Sequence, residues 1–262
     1  MFDYHIHSDF SADCDTAMET TIQKAIDLGV EEICFTEHID YDYPDPSITF
    51  LLDLESYDEK IKELQQKYKD QIVIKKGVEL GVQPHVLQDY EKIVQEEYFD
   101  FIICSMHATK KQDLHSGEFF QNKSLHTAYE EYYTELLQCI KTFKGYSILG
   151  HLDLVKRYKY EEGVYHFLDI IEEIFNVIIP EGKGIEINNS GYRYGMNRAM
   201  PSEDILKLYR EKNGEIITIG SDSHSPENLA THYEETLELL KKIGFKYIAT
   251  YENQKPTFHK IE

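Results

Sequence analysis

Asp3-Tyr4-His5-Ile6-His7-Ser8 is the stretch on which the reading of this chain turns. Alternate residues of a β-strand point to one face, so His5 and His7, closing a short run, can both reach a single ion. Five further segments end an apolar run on a possible ligand: Thr36-Glu37-His38, Val78-Glu79, Ser105-Met106-His107, Gly150-His151 and Ser221-Asp222-Ser223-His224. Imidazole and carboxylate together suit zinc, iron or manganese. One polynuclear centre assembled from strand ends along the whole chain predicts a metallohydrolase.

Between these motifs, short β-like runs alternate with amphipathic segments. Strands are expected at Phe2–Ile6, Glu32–Phe35, Ile72–Gly77, Phe99–Cys104, Ser147–Leu149, Gly184–Ile187 and Ile216–Ile219, with a possible last one at Tyr247–Thr250. Helices are expected at Thr20–Leu28, Leu54–Lys69, Gln88–Glu96, Leu125–Phe143, Tyr165–Ile178, Pro201–Lys212 and Tyr233–Ile243. Early acids after Pro201 fit a helix start, and Gly29, Gly145, Gly214 and Gly244 fit helix stops. Such alternation predicts parallel strands joined by crossover helices. The ligands fall just past the strand ends, where barrel active sites are built, so an α/β barrel of about seven strands is favoured over an open sheet. Two irregular stretches follow ligands: Asp40–Leu52, acidic, aromatic and able to cover the site, and the polar Ala108–Ser124.

Composition sets the outer limits. A chain of 262 residues is within the span of one barrel domain, and 13% aromatic residues supply a core. The formal charge of -21 argues against nucleic acid and against anionic membranes. Of the four cysteines, Cys34 and Cys104 lie in apolar runs and read as buried thiols, while Cys14 is a weak ligand candidate. The N-terminus shows no signal peptide and no run is long enough to span a membrane, so a soluble cytoplasmic protein is expected. The residues leave oligomeric state open, though many exposed tyrosines would offer contacts.

Individual candidates carry different weight. His5 and His7 gain from their alternation. Spacing alone makes Asp13 a turn or cap residue. Adjacent residues leave a strand on opposite faces, so His38 is favoured as ligand and Glu37 as its support. Glu79, on an apolar strand, needs a cation or proton to offset desolvation, and its two oxygens can bridge two ions. His107 and His151 recur at one point of the strand–helix cycle. Asp222 and His224 alternate after the last strong strand. The other histidines, His85, His115, His126, His166, His232 and His259, default to the surface.

Taken together, His-x-His-Ser, Thr-Glu-His, a mid-chain Glu, Ser-x-His, Gly-His-x-Asp and Ser-Asp-x-His resemble the PHP (polymerase and histidinol phosphatase) superfamily in order and over nearly the full length. The segments Gly150–Arg157 and Glu186–Arg193 further resemble its stand-alone histidinol-phosphate phosphatase branch. The resemblance implies a single PHP-type domain over residues 1–262, a distorted (β/α)7 barrel of the TIM type. It also implies two to three divalent ions (zinc, iron or manganese). One would be held by His5, His7, Glu79 and Asp222, a second by Glu79, His107 and His151, and a third by Asp13, His38 and His224. Many relatives carry His where this chain has Asp13.

The implied activity is hydrolysis of a small phosphate monoester, L-histidinol phosphate, in histidine biosynthesis. A hydroxide between two ions would attack phosphorus in line, with Glu79, Asp222 and His224 around it. Arg157 and Arg193, and less so Lys156, would hold phosphate oxygens. Three divalent ions bring about +6 against about −3 from Asp13, Glu79 and Asp222, so the pocket is positive despite the acidic chain. The histidinol moiety would meet Glu118, Tyr41 or Asp42, and His38 faces the substrate. The alternatives are a PHP-type phosphoesterase acting on another small monoester such as a nucleotide, an amidohydrolase-like enzyme, for which the bridging Lys is missing, and a non-catalytic metal-binding module.

Overall fold

A computed structural model describes residues 1–159 and 167–261 of the chain. Its main sheet has seven strands in chain order: β1 (Phe2–Ile6), β2 (Glu32–Ile39), β3 (Val73–Gly81), β4 (Phe101–Ser105), β5 (Ile148–Leu149), β6 (Gly184–Asn188) and β7 (Ile217–Gly220). All neighbours are parallel. The two edges meet: Ile6 bridges to Ser223, and His7 N–H donates to the Ser223 carbonyl at 2.9 Å. The sheet thus nearly closes into a distorted barrel, as expected from the alternation.

The expected strands all form, but β2 and β3 run four residues further, so His38 and Glu79 lie within strands, directly paired across the ladder. Each strand has two phases. On β3, Lys76, Val78 and Leu80 face outward, the last two into the main apolar core, while Glu79 faces the interior. The outward core is covered by helices Met18–Leu28, Leu54–Tyr68, Leu87–Glu96, Leu125–Thr142, Leu168–Ile178, Glu203–Glu211 and Tyr233–Ile243. The expected start of the fifth of these at Tyr165, like His166, lies outside the described residues. Asp53 and Ser124 cap two of the helices by accepting from Ser56 N–H and Thr127 N–H. Truncating a fully buried residue on such a face, Leu64→Ala for example, costs about 2–5 kcal/mol.

β1 carries an irregularity that no spacing rule reveals. Phe2 and Asp3 pair with Glu32 and Ile33, but Ile6 pairs with Phe35, so one extra residue is accommodated between Asp3 and Ile6. This bulge lets Tyr4 join the inner apolar cluster at the base of the barrel while Ile6 packs outward. His5 and His7 are then delivered to the upper interior, and bulges beside active sites commonly re-aim side chains in this way.

The chain also closes the base of the barrel. Tyr247–Glu252 (β8) and Lys255–Lys260 (β9) form an antiparallel hairpin, of which only the first strand was expected. Its Ala249 and Tyr251 pack on Tyr4, Cys34, Phe101, Ile103 and Ile148. Many tyrosines were expected to be exposed, yet most of those among the described residues are core: Tyr57, Tyr90, Tyr129, Tyr132 and Tyr133 are buried. Tyr57 and Tyr90 manage this because their hydroxyls donate to strand carbonyls, Tyr57 to Gly77 at 2.9 Å and Tyr90 to Gly81 at 2.8 Å. No helix among the described residues is long and apolar enough to cross a membrane.

Candidate metal centre

Glu79 sits at the middle of the upper barrel. Its Oε2 lies 3.1 Å from His5 Nε2, 3.2 Å from His38 Nδ1 and 3.5 Å from His7 Nε2. Its Oε1 lies 2.9 Å from His151 Nε2 and 3.2 Å from His107 Nε2, and accepts from Ser105 Oγ at 2.6 Å. Five imidazoles from four strand ends, two of them from β1, therefore surround one buried carboxylate. Asp222 Oδ1 lies 3.7 Å from His7 Nε2 and 3.9 Å from His5 Nε2. Asp13 Oδ2 lies 3.2 Å from His224 Nε2 and 3.7 Å from His38 Nε2. All nine ligand candidates thus converge, Asp13 included, although its spacing alone favoured a turn.

Their grouping differs in part from the expected one. Ligand atoms fall within 4.8 Å of one another in the sets His5/His7/Asp222, His5/Glu79/His151, His38/Glu79/His107 and His7/His38/His224. His38 is the reason: its Nδ1 faces Glu79 and its Nε2 faces Asp13, so it stands between the second and third expected sets.

The electrostatics of the cluster follow from this crowding. Burial disfavours the charged form of Glu79, yet His5, His107 and His38 outweigh it and hold the carboxyl well below the usual range. Burial likewise works against Asp222, and His5, Arg157 and His224 overcome it. Burial opposes charge on His5, but Glu186, Glu79 and Asp222 raise it well above an ordinary imidazole. His38 is lifted to about 9 by Glu79, Asp40 and Asp13 against its burial. His7 goes the other way: burial and the neighbouring His38 and His224 keep it neutral. Its Nε2, with His38 Nδ1 and Asp40 Oδ2, is buried without a hydrogen-bond partner. Buried acids that require positive charge beside unpartnered imidazole nitrogens fit divalent ions bound by nitrogen and oxygen donors.

A second layer of groups supports these side chains, and the sequence reading missed most of it. Asp40 accepts from His107 Nδ1 at 2.7 Å. Glu186 Oε1 meets His5 Nδ1 at 2.6 Å, and its Oε2 accepts from His151 N–H at 2.9 Å. A Cβ on Gly220 would lie 2.2 Å from Glu186 and 2.4 Å from His5 Cβ, so only glycine admits that contact. Asp40 lies in no motif, its signal being an acid two residues from a ligand; Glu186 opens the Glu186–Arg193 segment that carries part of the resemblance but was given no role, its signal being an acid on the interior phase of a strand. Glu37, expected to support His38, reaches it only through Ser11, whose hydroxyl accepts from His38 N–H at 3.1 Å. The Glu37 carboxylate accepts from Ser8 N–H, Ser8 Oγ and Ser11 Oγ and so ties the loop after β1 to β2. Cys14 is no ligand: its thiol donates to the His224 carbonyl. All four cysteines are free and buried.

Above the cluster opens a cavity of about 520 Å³. Its floor is Asp13, His38, Glu79, His107, His151, Asp222 and His224, and its walls include Tyr43, Asp45, Phe50, Asp113, His115, Arg157, Tyr158, Arg193 and Tyr194. The Asp40–Leu52 stretch supplies one wall, and His115, exposed as expected, also lines the cavity. Arg157 is mostly but not fully buried, its side chain bonded to Ser190 Oγ at 3.0 Å, Asp222 Oδ2 at 3.2 Å and Tyr158 Oη at 2.6 Å. Its guanidinium stacks on Tyr158 and Tyr194, with Nε left unpartnered. Arg193 donates to the Ser221 and Asp222 carbonyls at 2.7 and 2.6 Å.

Four substrate-side expectations are corrected. Lys156 is buried beside Asp153 and off the cavity, because neighbouring side chains of a helical turn diverge. Glu118 is exposed on a short 3-10 turn. Asp42 turns outward to His85 and Lys111, and Tyr41 stacks on Tyr90.

Comparison with known proteins agrees with this geometry. The PHP domain family model matches residues 3–190. A histidinol-phosphatase of Lactococcus lactis is 35% identical over 97% of this chain and 95% of its own length. A probable histidinol-phosphatase of Clostridium acetobutylicum is 27% identical over 94% of this chain and 95% of its own. The crystal structure of the L. lactis histidinol phosphate phosphatase with zinc, L-histidinol and phosphate superimposes with a TM-score of 0.87 at 32% identity, covering 98% of each chain. A putative histidinol phosphatase of Listeria monocytogenes shares the fold, with a TM-score of 0.78 at 17% identity over 90% of this chain and 99% of its own. On the motif order, the barrel and these matches, the chain belongs to the PHP family.

Proposed function

We propose that the chain is a metal-dependent phosphatase that hydrolyses L-histidinol phosphate to L-histidinol and phosphate, a step of histidine biosynthesis. The observation that carries this reading is Arg157. It is fixed on the wall of a cavity floored by seven of the nine candidate metal ligands, in a chain 32% identical to a phosphatase solved with zinc, L-histidinol and phosphate.

Two to three divalent ions, with zinc, iron or manganese suited to the donors, would be held by His5, His7, Asp13, His38, Glu79, His107, His151, Asp222 and His224. They supply Lewis-acid charge and water activated near neutral pH. In the reaction a water O–P bond forms, the ester P–O bond breaks, and the water's proton passes to the leaving alkoxide. Arg157 meets the phosphoryl oxygens with its orientation already fixed, so little reorganisation is needed as charge develops. Arg193 adds positive charge to the same wall. Tyr43 and Phe50 offer a flat surface to the imidazole ring, their own rings 5.0 Å apart and edge-on. Asp45 on the rim faces the substrate ammonium in place of the expected Glu118.

The test is turnover of L-histidinol phosphate, a nucleoside monophosphate and an aryl phosphate by the metal-reconstituted protein. The expected order of kcat/KM puts L-histidinol phosphate well first. Equal or better turnover of the nucleotide would replace this substrate with the other small-monoester reading.

A further inference from the structure

We infer that Arg193 is a positioning residue, holding the Ser221–Asp222 turn so that Asp222 presents its carboxylate to the metal centre. The inference rests on the metal-centre reading above. Among the carboxylate ligand candidates Asp222 alone has a positive φ, 55°. A non-glycine residue keeps that conformation only where its surroundings impose it. The imposing contacts are visible on both sides of the turn. Arg193 spans the two carbonyls, Ser221 and Asp222, with its two terminal nitrogens. Asp3 accepts from Ser221 N–H and from Ala230 N–H, both at 2.9 Å.

The two arginines therefore divide the work. Arg157 bonds the Asp222 carboxylate and faces the cavity, whereas Arg193 fixes the backbone that carries it. A planar guanidinium holds two successive carbonyls with two nitrogens in a fixed fork, whereas a lysine ammonium offers its three donors from one atom on a flexible stem and fixes the turn less well. Loss of the clamp releases Asp222 toward ordinary backbone geometry and moves its carboxylate away from His5 and His7.

Arg193→Gln and Arg193→Lys, beside the wild type, separate positioning from phosphate holding. Three readouts are needed: zinc affinity by competition with a chromogenic chelator, kcat and KM for L-histidinol phosphate, and inhibition of the zinc-saturated enzyme by inorganic phosphate. Both variants are expected to bind their weakest zinc about 10–100-fold less tightly, the range found when a residue supporting a ligand is removed. kcat at limiting zinc should fall with it, while phosphate inhibition of Arg193→Lys stays near wild type. Wild-type zinc affinity in either variant, with phosphate inhibition lost, overturns the inference and makes Arg193 a phosphate ligand. Should Arg193→Gln not fold, Arg193→Lys, which keeps the stem and charge, decides alone. A wild type that binds no zinc overturns the metal-centre reading itself and is recognised by appearing before any substitution.

Discussion

At the carboxyl ends of the barrel strands, Glu79 is set among five imidazoles; at the amino ends, Glu32 meets one phenol, that of Tyr4. Both acids belong to adjacent strands and both lose water on folding. Their environments drive them apart. Glu79 is held far below the ordinary carboxyl range by surrounding imidazoles, whereas burial raises Glu32 despite its bond to Tyr4. The upper end collects more charge than the protein can neutralise within itself and leaves His7 Nε2 and Asp40 Oδ2 unpartnered. At the lower end the Tyr4 hydroxyl donates to Glu32 and accepts from Tyr251 N–H, tying the hairpin to β1. At the upper end the open atoms are imidazole and carboxylate donors of the kind an ion satisfies; at the lower end Tyr4, Glu32 and Tyr251 N–H close on each other, and the atom left open is the Tyr251 phenol.

The strongest way to break this contrast is Glu79→Gln. If the upper cluster is functional, the variant loses turnover of L-histidinol phosphate to background and binds fewer metal ions, while far-ultraviolet circular dichroism stays that of the wild type. Treatment of the wild type with a strong chelator should give the same loss, reversed on returning zinc. Retention of more than about a tenth of wild-type kcat, a barrier change of only about 1.4 kcal/mol, would make Glu79 dispensable and erase the distinction.

How far the sequence showed these two ends follows from the same difference. The upper end was legible because its ligands are rare residue types recurring after strands, a pattern that indicated about seven parallel strands and eight of the nine candidate positions; Asp13 came only from the family resemblance. The supporting roles of Asp40 and Glu186 were not legible, because Asp40 looks like any acid near a ligand and the partners of Glu186, His5 and His151, are 181 and 35 residues away in the chain. The cavity walls were worse served: Glu118, Tyr41 and Asp42 fit the chemistry but sit on irregular segments whose direction no periodicity sets. The lower end was nearly invisible. Its closure depends on a bulge between Asp3 and Ile6 and on contacts more than 240 residues apart, such as Tyr4 with Tyr251.

Arg157→Met sharpens the upper half of the comparison. The substitution keeps much of the apolar stem but removes every donor, so Asp222 loses its partner at 3.2 Å and the cavity loses a fixed positive group. kcat/KM for L-histidinol phosphate is expected to fall by about 10²–10³-fold, as when one preorganised donor is removed from an active site. Steady-state kinetics at saturating metal checks this, and a change confined to KM would mean that Arg157 binds substrate without favouring the transition state.

For the lower half, Tyr4→Phe keeps the ring in the Phe101 and Tyr251 cluster and deletes only the hydroxyl. Glu32 then has no phenol donor and Tyr251 N–H loses its acceptor, which should cost about 1–3 kcal/mol of stability. Urea unfolding measures the loss, and kcat of the metal-loaded enzyme should stay at the wild-type level. A fall in kcat without a fall in stability would join the two ends into one functional unit.

The smallest effect, and the most specific to the lower end, is the pH dependence contributed by Glu32. Its carboxyl is raised in the folded chain, chiefly by burial, so between the ordinary glutamate value and the raised one the folded state binds more protons than the unfolded state. Stability must therefore fall as pH rises through that window, the reverse of what an ion-paired acid gives. Glu32→Gln cannot ionise and lacks this contribution. The difference in unfolding free energy, variant minus wild type, should grow in favour of the variant on passing upward through the window and level off above it. Because Glu32 is partly open to water, the change is modest and calls for urea midpoints at closely spaced pH values, with metal removed from both proteins. A difference that shrinks with rising pH would mean that Tyr4 stabilises the carboxylate more than burial opposes it, and the lower end would then share the electrostatic sense of the upper.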